Sequence, residues 1–177
     1  MAEKIEVQVS HRFTASAERV YDAWLDPDKV RVWMKTAGQR MGLAGDIRRV
    51  EIDPSVGGAF LFSDMRDGVE TRHWGTYLEL DRPHRIVFTW ILDEAEESDP
   101  GRVSLAIQPD GTGCIATIVH QMDAKWADYE SQTKNGWHCM LQATDALLSK
   151  ASKNPRTGPP VASVSTEPSA RTRSGGL

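Results

Sequence analysis

Three side chains in predicted strands are suited to proton transfer or to hydrogen bonding with a bound molecule: His73, Tyr77 and His120. An imidazole or a phenol that faces a cavity can orient a ligand carbonyl, and it can also act as a general acid or base. The spacing along the chain identifies no carboxylate partner for either histidine. The pattern therefore favours ligand contact over catalysis, and an enzyme is the less favoured interpretation.

Other common chemistries lack their sequence patterns. No HxxxH or HxH spacing relates the five histidines, so we expect no metal site. The chain has no GxSxG motif, and no GxGxxG follows a predicted strand, so we expect no cofactor. Neither Cys114 nor Cys139 has a visible base, and burial in the core is the ordinary role of such thiols.

Aromatic and mixed-character residues recur on the surfaces that a sheet and a helix would turn toward each other. A cavity between such surfaces typically measures about 300–1,000 Å³ and is apolar with a few polar groups. We expect Trp33 and Met34 to lie at its mouth. The predicted ligand-binding residues are Trp33, Phe60, Phe62, His73, Tyr77, Trp90, His120, Met122, Tyr129, Thr133, Trp137 and Met140.

Composition excludes several classes of function. The 177 residues carry a net charge of -4, whereas non-specific nucleic-acid binding favours a basic surface. No apolar run approaches the roughly 18 residues that a membrane-spanning helix requires, so no membrane insertion is expected. The first ten residues contain no apolar signal core, and two cysteines give no disulfide framework. The simplest prediction is a cytoplasmic protein.

The first third of the chain predicts one strand and two short helices. Apolar and polar residues alternate from Ile5 to Phe13, which is the pattern of a half-buried strand. Ser16 is a suitable cap for a first helix. Asp26-Pro27 predicts the start of a second helix, which we expect to end near Trp33-Met34. Residues 35–46 contain three glycines and predict a mobile loop.

The middle of the chain predicts consecutive hairpins. The Asp67-Gly68 pair is a strong hairpin signal, and Gly75 is expected at a bulge or a close backbone contact. The acidic residues 93–100 predict a solvated hairpin tip. The predicted strands are 47–52, 59–65, 70–80, 85–92, 102–108 and 114–122.

Residues 126–149 have the three-or-four spacing of an amphipathic helix. Consecutive hairpins followed by one long helix predict an α+β helix-grip, in which a curved antiparallel sheet of six or seven strands wraps around the C-terminal helix. Residues 1–150 form the predicted domain. Residues 151–177 are rich in Ser, Pro and Gly, and we expect a disordered tail.

Four stretches match a known pattern: ASAERVYDAWLDPDKVRVW over residues 15–33, Gly57-Gly58-Ala59-Phe60, the hairpin of residues 75–90, and Gly136-Trp137 followed by Leu141 and Leu148. Together they resemble the START-related (SRPBCC) superfamily, in the branch of homologues of the heat-shock-protein ATPase activator. The resemblance covers about residues 4–149 and implies a helix-grip fold. Members of this superfamily include carriers of hydrophobic ligands, cyclases, hydrolases and stress-response modules.

Three functions therefore stay open at this stage. The leading hypothesis is a domain that binds a small hydrophobic or aromatic molecule between the sheet and the last helix. The alternatives are an enzyme of the same fold (a cyclase, hydratase or hydrolase) and a co-chaperone-like interaction module with a protein partner. A homodimer through edge strands also remains open, although charged residues such as Lys4, Glu6 and Arg12 oppose pairing of the first strand.

Overall fold

A computed structural model describes residues 3–153 of the chain. Seven antiparallel strands form one curved sheet with the order β1-β7-β6-β5-β4-β3-β2, and the α+β helix-grip prediction is confirmed. The strands are β1 (Lys4–Phe13), β2 (Ile47–Ile52), β3 (Ala59–Arg66), β4 (Val69–Asp81), β5 (Arg85–Trp90), β6 (Gly101–Asp110) and β7 (Gly113–Asp123). The helices are α1 (Ala17–Ala23), α2 (Pro27–Arg40) and α3 (Glu130–Lys153). Beyond Lys153, the predicted tail lies outside the described residues.

The two helices after β1 begin at the predicted caps. The Ser16 hydroxyl accepts a hydrogen bond from the Arg19 amide, and the Asp26 carboxylate accepts one from the Asp28 amide at 3.0 Å. The predicted end of α2 near Trp33-Met34 is wrong, because the helix continues to Arg40. The buried small residues Ala37 and Gly38 let α2 pack closely on its neighbours, and this packing outweighs the low helix propensity of glycine.

Helix α3 begins later than predicted. Residues Ala124–Tyr129 form a 3-10 segment, and the regular helix starts only at Glu130. The Asp123 side chain accepts a hydrogen bond from the Lys125 amide at 2.9 Å, which caps the tighter segment. Amphipathic spacing extends through both parts, but spacing alone does not distinguish a 3-10 turn from the first turn of an α-helix.

The positions of the helices leave room above the middle of the sheet. Helix α3 packs against β1 at one edge, and α2 packs against β2 at the other edge. The two helices also pack against each other, so they bridge the concave face. Aromatic side chains from β3, β4 and β5 project into the space beneath them. Within residues 3–153, none of these helices has the length and apolarity required to cross a membrane.

Gly75 marks a close backbone contact between β4 and β5, as its position in the strand predicted. A Cβ atom at this residue would lie only 2.0 Å from the Thr89 carbonyl oxygen. The Thr76 amide also donates to the Thr89 hydroxyl at 2.9 Å, and the pairing register shifts between Tyr77 and Glu79. Only glycine fits this junction without moving one of the two strands.

We expect Gly75→Ala to lower the free energy of unfolding by about 1–3 kcal/mol, because the added methyl group overpacks against backbone that cannot yield. Denaturation followed by far-UV circular dichroism measures this loss. The control is Gly136→Ala in α3, where the nearest atom, the Met41 sulfur, lies 3.7 Å from the new Cβ. That variant should gain up to about 1 kcal/mol from helix propensity. Equal stabilities for the two variants would contradict the prediction.

Candidate functional site

A cavity of about 820 Å³ lies between the concave face of the sheet and helices α2 and α3. The structure brings all the predicted ligand-binding residues to its wall, and their binding of a ligand stays a prediction. They come from β3, β4, β5, β7, the 3-10 segment and both helices: Trp33, Phe60, Phe62, His73, Tyr77, Trp90, His120, Met122, Tyr129, Thr133, Trp137 and Met140.

Phe60 lies at the centre of the aromatic wall on the sheet side. Its ring centroid is 5.1 Å from that of Phe62, 5.3 Å from Tyr77 and 5.5 Å from Phe88. Phe60 pairs in register with Gly75, which contributes no side chain to the concave face. Such tilted and edge-to-face contacts are favourable for aromatic rings, so the wall keeps a defined shape and offers ring faces to the cavity.

Trp33 lies deep in the structure, and its predicted position at the mouth is wrong. The side chain is only 2% exposed and stacks on Trp24 with a centroid distance of 4.6 Å. Its indole N–H donates a hydrogen bond to the Ala23 carbonyl oxygen at 2.9 Å. Because α2 continues beyond this residue, Trp33 faces the interior from the middle of a helix and not from its frayed end.

His120 is held in one tautomer by Trp137. The indole Nε1–H of Trp137 donates to His120 Nδ1 at 3.1 Å, so the imidazole proton resides on Nε2. Burial lowers the pKa of His120 from 6.5 to about 4, because the low-polarity surroundings disfavour the charged ring. The imidazole is therefore neutral at physiological pH, with its single N–H on the nitrogen away from Trp137.

His73 and Tyr77 are also uncharged at neutral pH. His73 stacks on Trp90 at 4.9 Å, and its pKa falls to about 4, chiefly through desolvation and further through the nearby Arg66 charge, against an opposing effect of Asp64. Burial, with a smaller contribution from Asp53, raises the pKa of Tyr77. The predicted polar groups of the cavity can thus form hydrogen bonds but supply no charge.

Asp64 is a cavity residue that the sequence analysis missed. It is 4% exposed, and its Oδ2 accepts a hydrogen bond from Arg66 Nε at 2.8 Å. Its Oδ1 has no hydrogen-bond partner among the described residues. Strand alternation places Asp64 on the same face as Phe60 and Phe62, so the period of two was a signal that could have identified it.

Glu96 fastens the acidic loop to the 3-10 segment before α3. Its Oε1 accepts from the Trp126 indole N–H at 2.7 Å, and its Oε2 accepts from the Leu92 amide at 3.1 Å. Glu96 is only 9% exposed, so the prediction of a solvated tip is wrong for this residue. Its main partner lies 30 positions away, and no local pattern reveals such a contact. Tyr129, at the end of the 3-10 segment, also lines the cavity and is 52% exposed.

Among the described residues, the side chains that could bind a metal ion are scattered, and the Cys114 thiol is buried. Across residues 3–153, no three His, Cys, Asp or Glu side chains come close enough to hold a metal ion. Burial raises the pKa of the Cys114 thiol to about 11, which keeps it protonated and poorly nucleophilic. The arrangement of the cavity is suited to surrounding a largely apolar molecule and to hydrogen bonding with a polar group that it carries.

A curved antiparallel sheet, a long helix packed across its concave face and an aromatic cavity between them define a helix-grip domain of the START-related class. Residues 14–149 match the family described as Activator of Hsp90 ATPase homolog 1-like protein. The chain belongs to this family, and the resemblance seen in the sequence is confirmed.

Solved structures from several bacteria share the fold. A protein from Chromobacterium violaceum is 26% identical, with a TM-score of 0.67 over 80% of this chain and 95% of its own. A protein of unknown function from Staphylococcus aureus is 18% identical, with a TM-score of 0.71 over 86% and 98%. An AHSA1-like protein from Aeromonas hydrophila is 19% identical, with a TM-score of 0.66 over 88% and 99%. No curated protein matches the sequence significantly.

Proposed function

We propose that this protein binds a small hydrophobic or aromatic molecule in the cavity between the sheet and helices α2 and α3. The observation that carries the proposal is the cavity itself, about 820 Å³ in volume and walled by aromatic rings. This volume falls within the range of about 300–1,000 Å³ that is typical of small-molecule sites. A cytoplasmic location is part of the same proposal.

The wall supports binding through burial and stacking. The ring centroids of Trp90 on the sheet and Trp137 on α3 lie 5.0 Å apart, so the two rings touch, and both line the cavity. A guest ring placed beside them would leave water and gain favourable aromatic contacts of about 0.5–1.5 kcal/mol per pair beyond its area burial. Because His73, Tyr77 and His120 are uncharged, an apolar guest that packs against these three side chains does not have to displace the hydration of an ion there.

The test is a direct binding measurement with the neutral fluorescent probe N-phenyl-1-naphthylamine. We expect its fluorescence to rise and saturate with the wild-type protein. Thr133→Trp places an indole in the cavity from the α3 side. It should weaken binding about tenfold or more, because the indole occupies volume that the probe needs. Lys134→Trp, on the exposed side of the same helix, is the matched control and should bind as the wild type does. Undiminished binding by Thr133→Trp would contradict the proposal.

The other functions proposed from the sequence keep separate tests. An enzyme of this fold would use His73, Tyr77 or His120 as an acid or base, and replacing each by Phe should abolish its turnover. A co-chaperone-like role has its support in the family description alone, and recovery of a chaperone in a pull-down with the full chain is its test. The aromatic cavity favours ligand binding over the co-chaperone-like role, which does not explain this volume. An enzyme would use the same cavity, and the three Phe variants distinguish it from a binding protein.

A further inference from the structure

His120 offers the cavity a directed hydrogen-bond donor. Its Nδ1 is occupied by Trp137, so Nε2 carries the proton. Within residues 3–153, Nε2 has no hydrogen-bond partner, and this atom is not fully buried. His120 also lines the cavity. The N–H is therefore reachable by a guest.

Gly101 keeps this nitrogen accessible. It pairs with Trp90 across the neighbouring strands and also lines the cavity. A Cβ atom at Gly101 would lie 3.1 Å from His120 Nε2 and 3.1 Å from the Trp90 carbonyl oxygen. A side chain at this position would therefore crowd the donor, and glycine leaves the nitrogen uncovered on this side.

The charges around the cavity disfavour an anionic guest. Among the described residues, two arginines, Arg66 and the exposed Arg72, line it, against seven acidic residues: Asp64, Glu70, Asp93, Glu94, Glu96, Asp99 and Asp123. Four basic side chains near it are already paired with carboxylates: Arg66 with Asp64, Arg49 with Glu70, Lys4 with Asp99 and Lys125 with Glu96. A carboxylate that entered would lose its hydration and meet like charges.

We propose that the cavity selects a flat aromatic molecule that carries a hydrogen-bond-accepting oxygen, oriented by His120 Nε2–H, and that it rejects apolar molecules bearing a carboxylate. This inference rests on the proposed function and gives its ligand class. His120 is the specificity residue that contacts the guest. Trp137 is a positioning residue, because it acts by holding the imidazole in the donating tautomer.

The first test compares three naphthalenes of similar shape by their quenching of tryptophan fluorescence in the full-length protein at pH 7. We expect 2-acetylnaphthalene to bind about five- to tenfold more tightly than 2-ethylnaphthalene, which lacks the acceptor. We expect 2-naphthoate to bind about tenfold or more weakly than the ketone, because the carboxylate must be desolvated beside like charges. Equal affinity for the ketone and the hydrocarbon would overturn the role of His120, and tight binding of naphthoate would overturn the rejection of anions.

The second test uses His120→Phe, which keeps a ring of similar size but removes the donor. The preference for the ketone over 2-ethylnaphthalene should fall to about one. Because this preference is a ratio of two affinities of the same variant, a change of cavity shape that affects both molecules alike cancels. Trp137→Phe should reduce the preference only in part, because the imidazole proton of His120 can then reside on Nδ1 as well as on Nε2. A preference that survives in His120→Phe would overturn the inference. If wild-type protein binds none of the three molecules, and no N-phenyl-1-naphthylamine, the proposed function itself fails.

Discussion

Replacing Trp33 by alanine is expected to lower the free energy of unfolding by about 3–5 kcal/mol, the range for deletion of a fully buried large aromatic side chain. The indole is 2% exposed, stacks on Trp24, and satisfies the Ala23 carbonyl at the end of α1. Its loss removes these contacts together and enlarges the closed end of the cavity. Chemical denaturation of the variant and the wild type under identical conditions measures the difference.

Two companion variants separate the causes of this loss. Val32→Ala changes the neighbouring, exposed residue of the same helix and should stay within about 0.5 kcal/mol of the wild type. Trp33→Phe keeps an aromatic ring but leaves the Ala23 carbonyl without this donor, so it should cost less than the alanine variant. If Trp33→Ala were no less stable than Val32→Ala, Trp33 would not be the core residue that the structure shows.

Acidification from pH 7 to pH 5 is expected to destabilise the fold through its neutral histidines. The pKa of His120 is about 4 in the folded protein, against the 6.5 that is usual for an exposed histidine. The unfolded chain therefore binds more protons than the folded protein between pH 6.5 and pH 4. Stability is therefore fully present above pH 6.5 and is lost as the pH falls toward 4. For His120 this loss is about 2 kcal/mol between pH 7 and pH 5, and His73 adds a loss of the same sign.

Denaturation curves of wild type and His120→Phe at both pH values isolate this effect. The loss on acidification should be smaller in His120→Phe by about 2 kcal/mol, because that variant has no imidazole to protonate at this site. His84→Gln, at an exposed turn, is the control for removal of an imidazole elsewhere. A loss of equal size in wild type and His120→Phe would show that His120 remains ionisable in the folded state.

Much of the architecture was predictable because its signals are local. Alternation from Ile5 to Phe13 identified β1, the Asp67-Gly68 pair marked the β3–β4 hairpin, and Asp26-Pro27 marked the start of α2. These patterns reflect the backbone geometry and burial of single elements, and neighbouring residues suffice to reveal them. The cavity residues of the strands and of α3 were predictable for the same reason, since their strand and helix periods determine which face they occupy, whereas the deep position of Trp33 was not predicted.

The remaining features depend on contacts between distant residues. Helix α2 continues past Gly38 because α3 packs against it, and sequence propensity contains no record of that neighbour. Glu96 is buried because the Trp126 indole supplies a donor 30 positions later. The pairing of Trp137 with His120 crosses from helix to sheet, so the tautomer of the imidazole became visible only with the coordinates.

The pairing of β1 with β7 has a consequence for how the protein is made. The first strand finds its partner only after Asp123 has been synthesised, and the bond from His11 to Asp145 requires α3 as well. At roughly 5–20 residues per second, the nascent strand waits several seconds on the ribosome with its edges unpaired. The charges of Lys4, Glu6 and Arg12 along it oppose misassembly between neighbouring nascent chains during this interval.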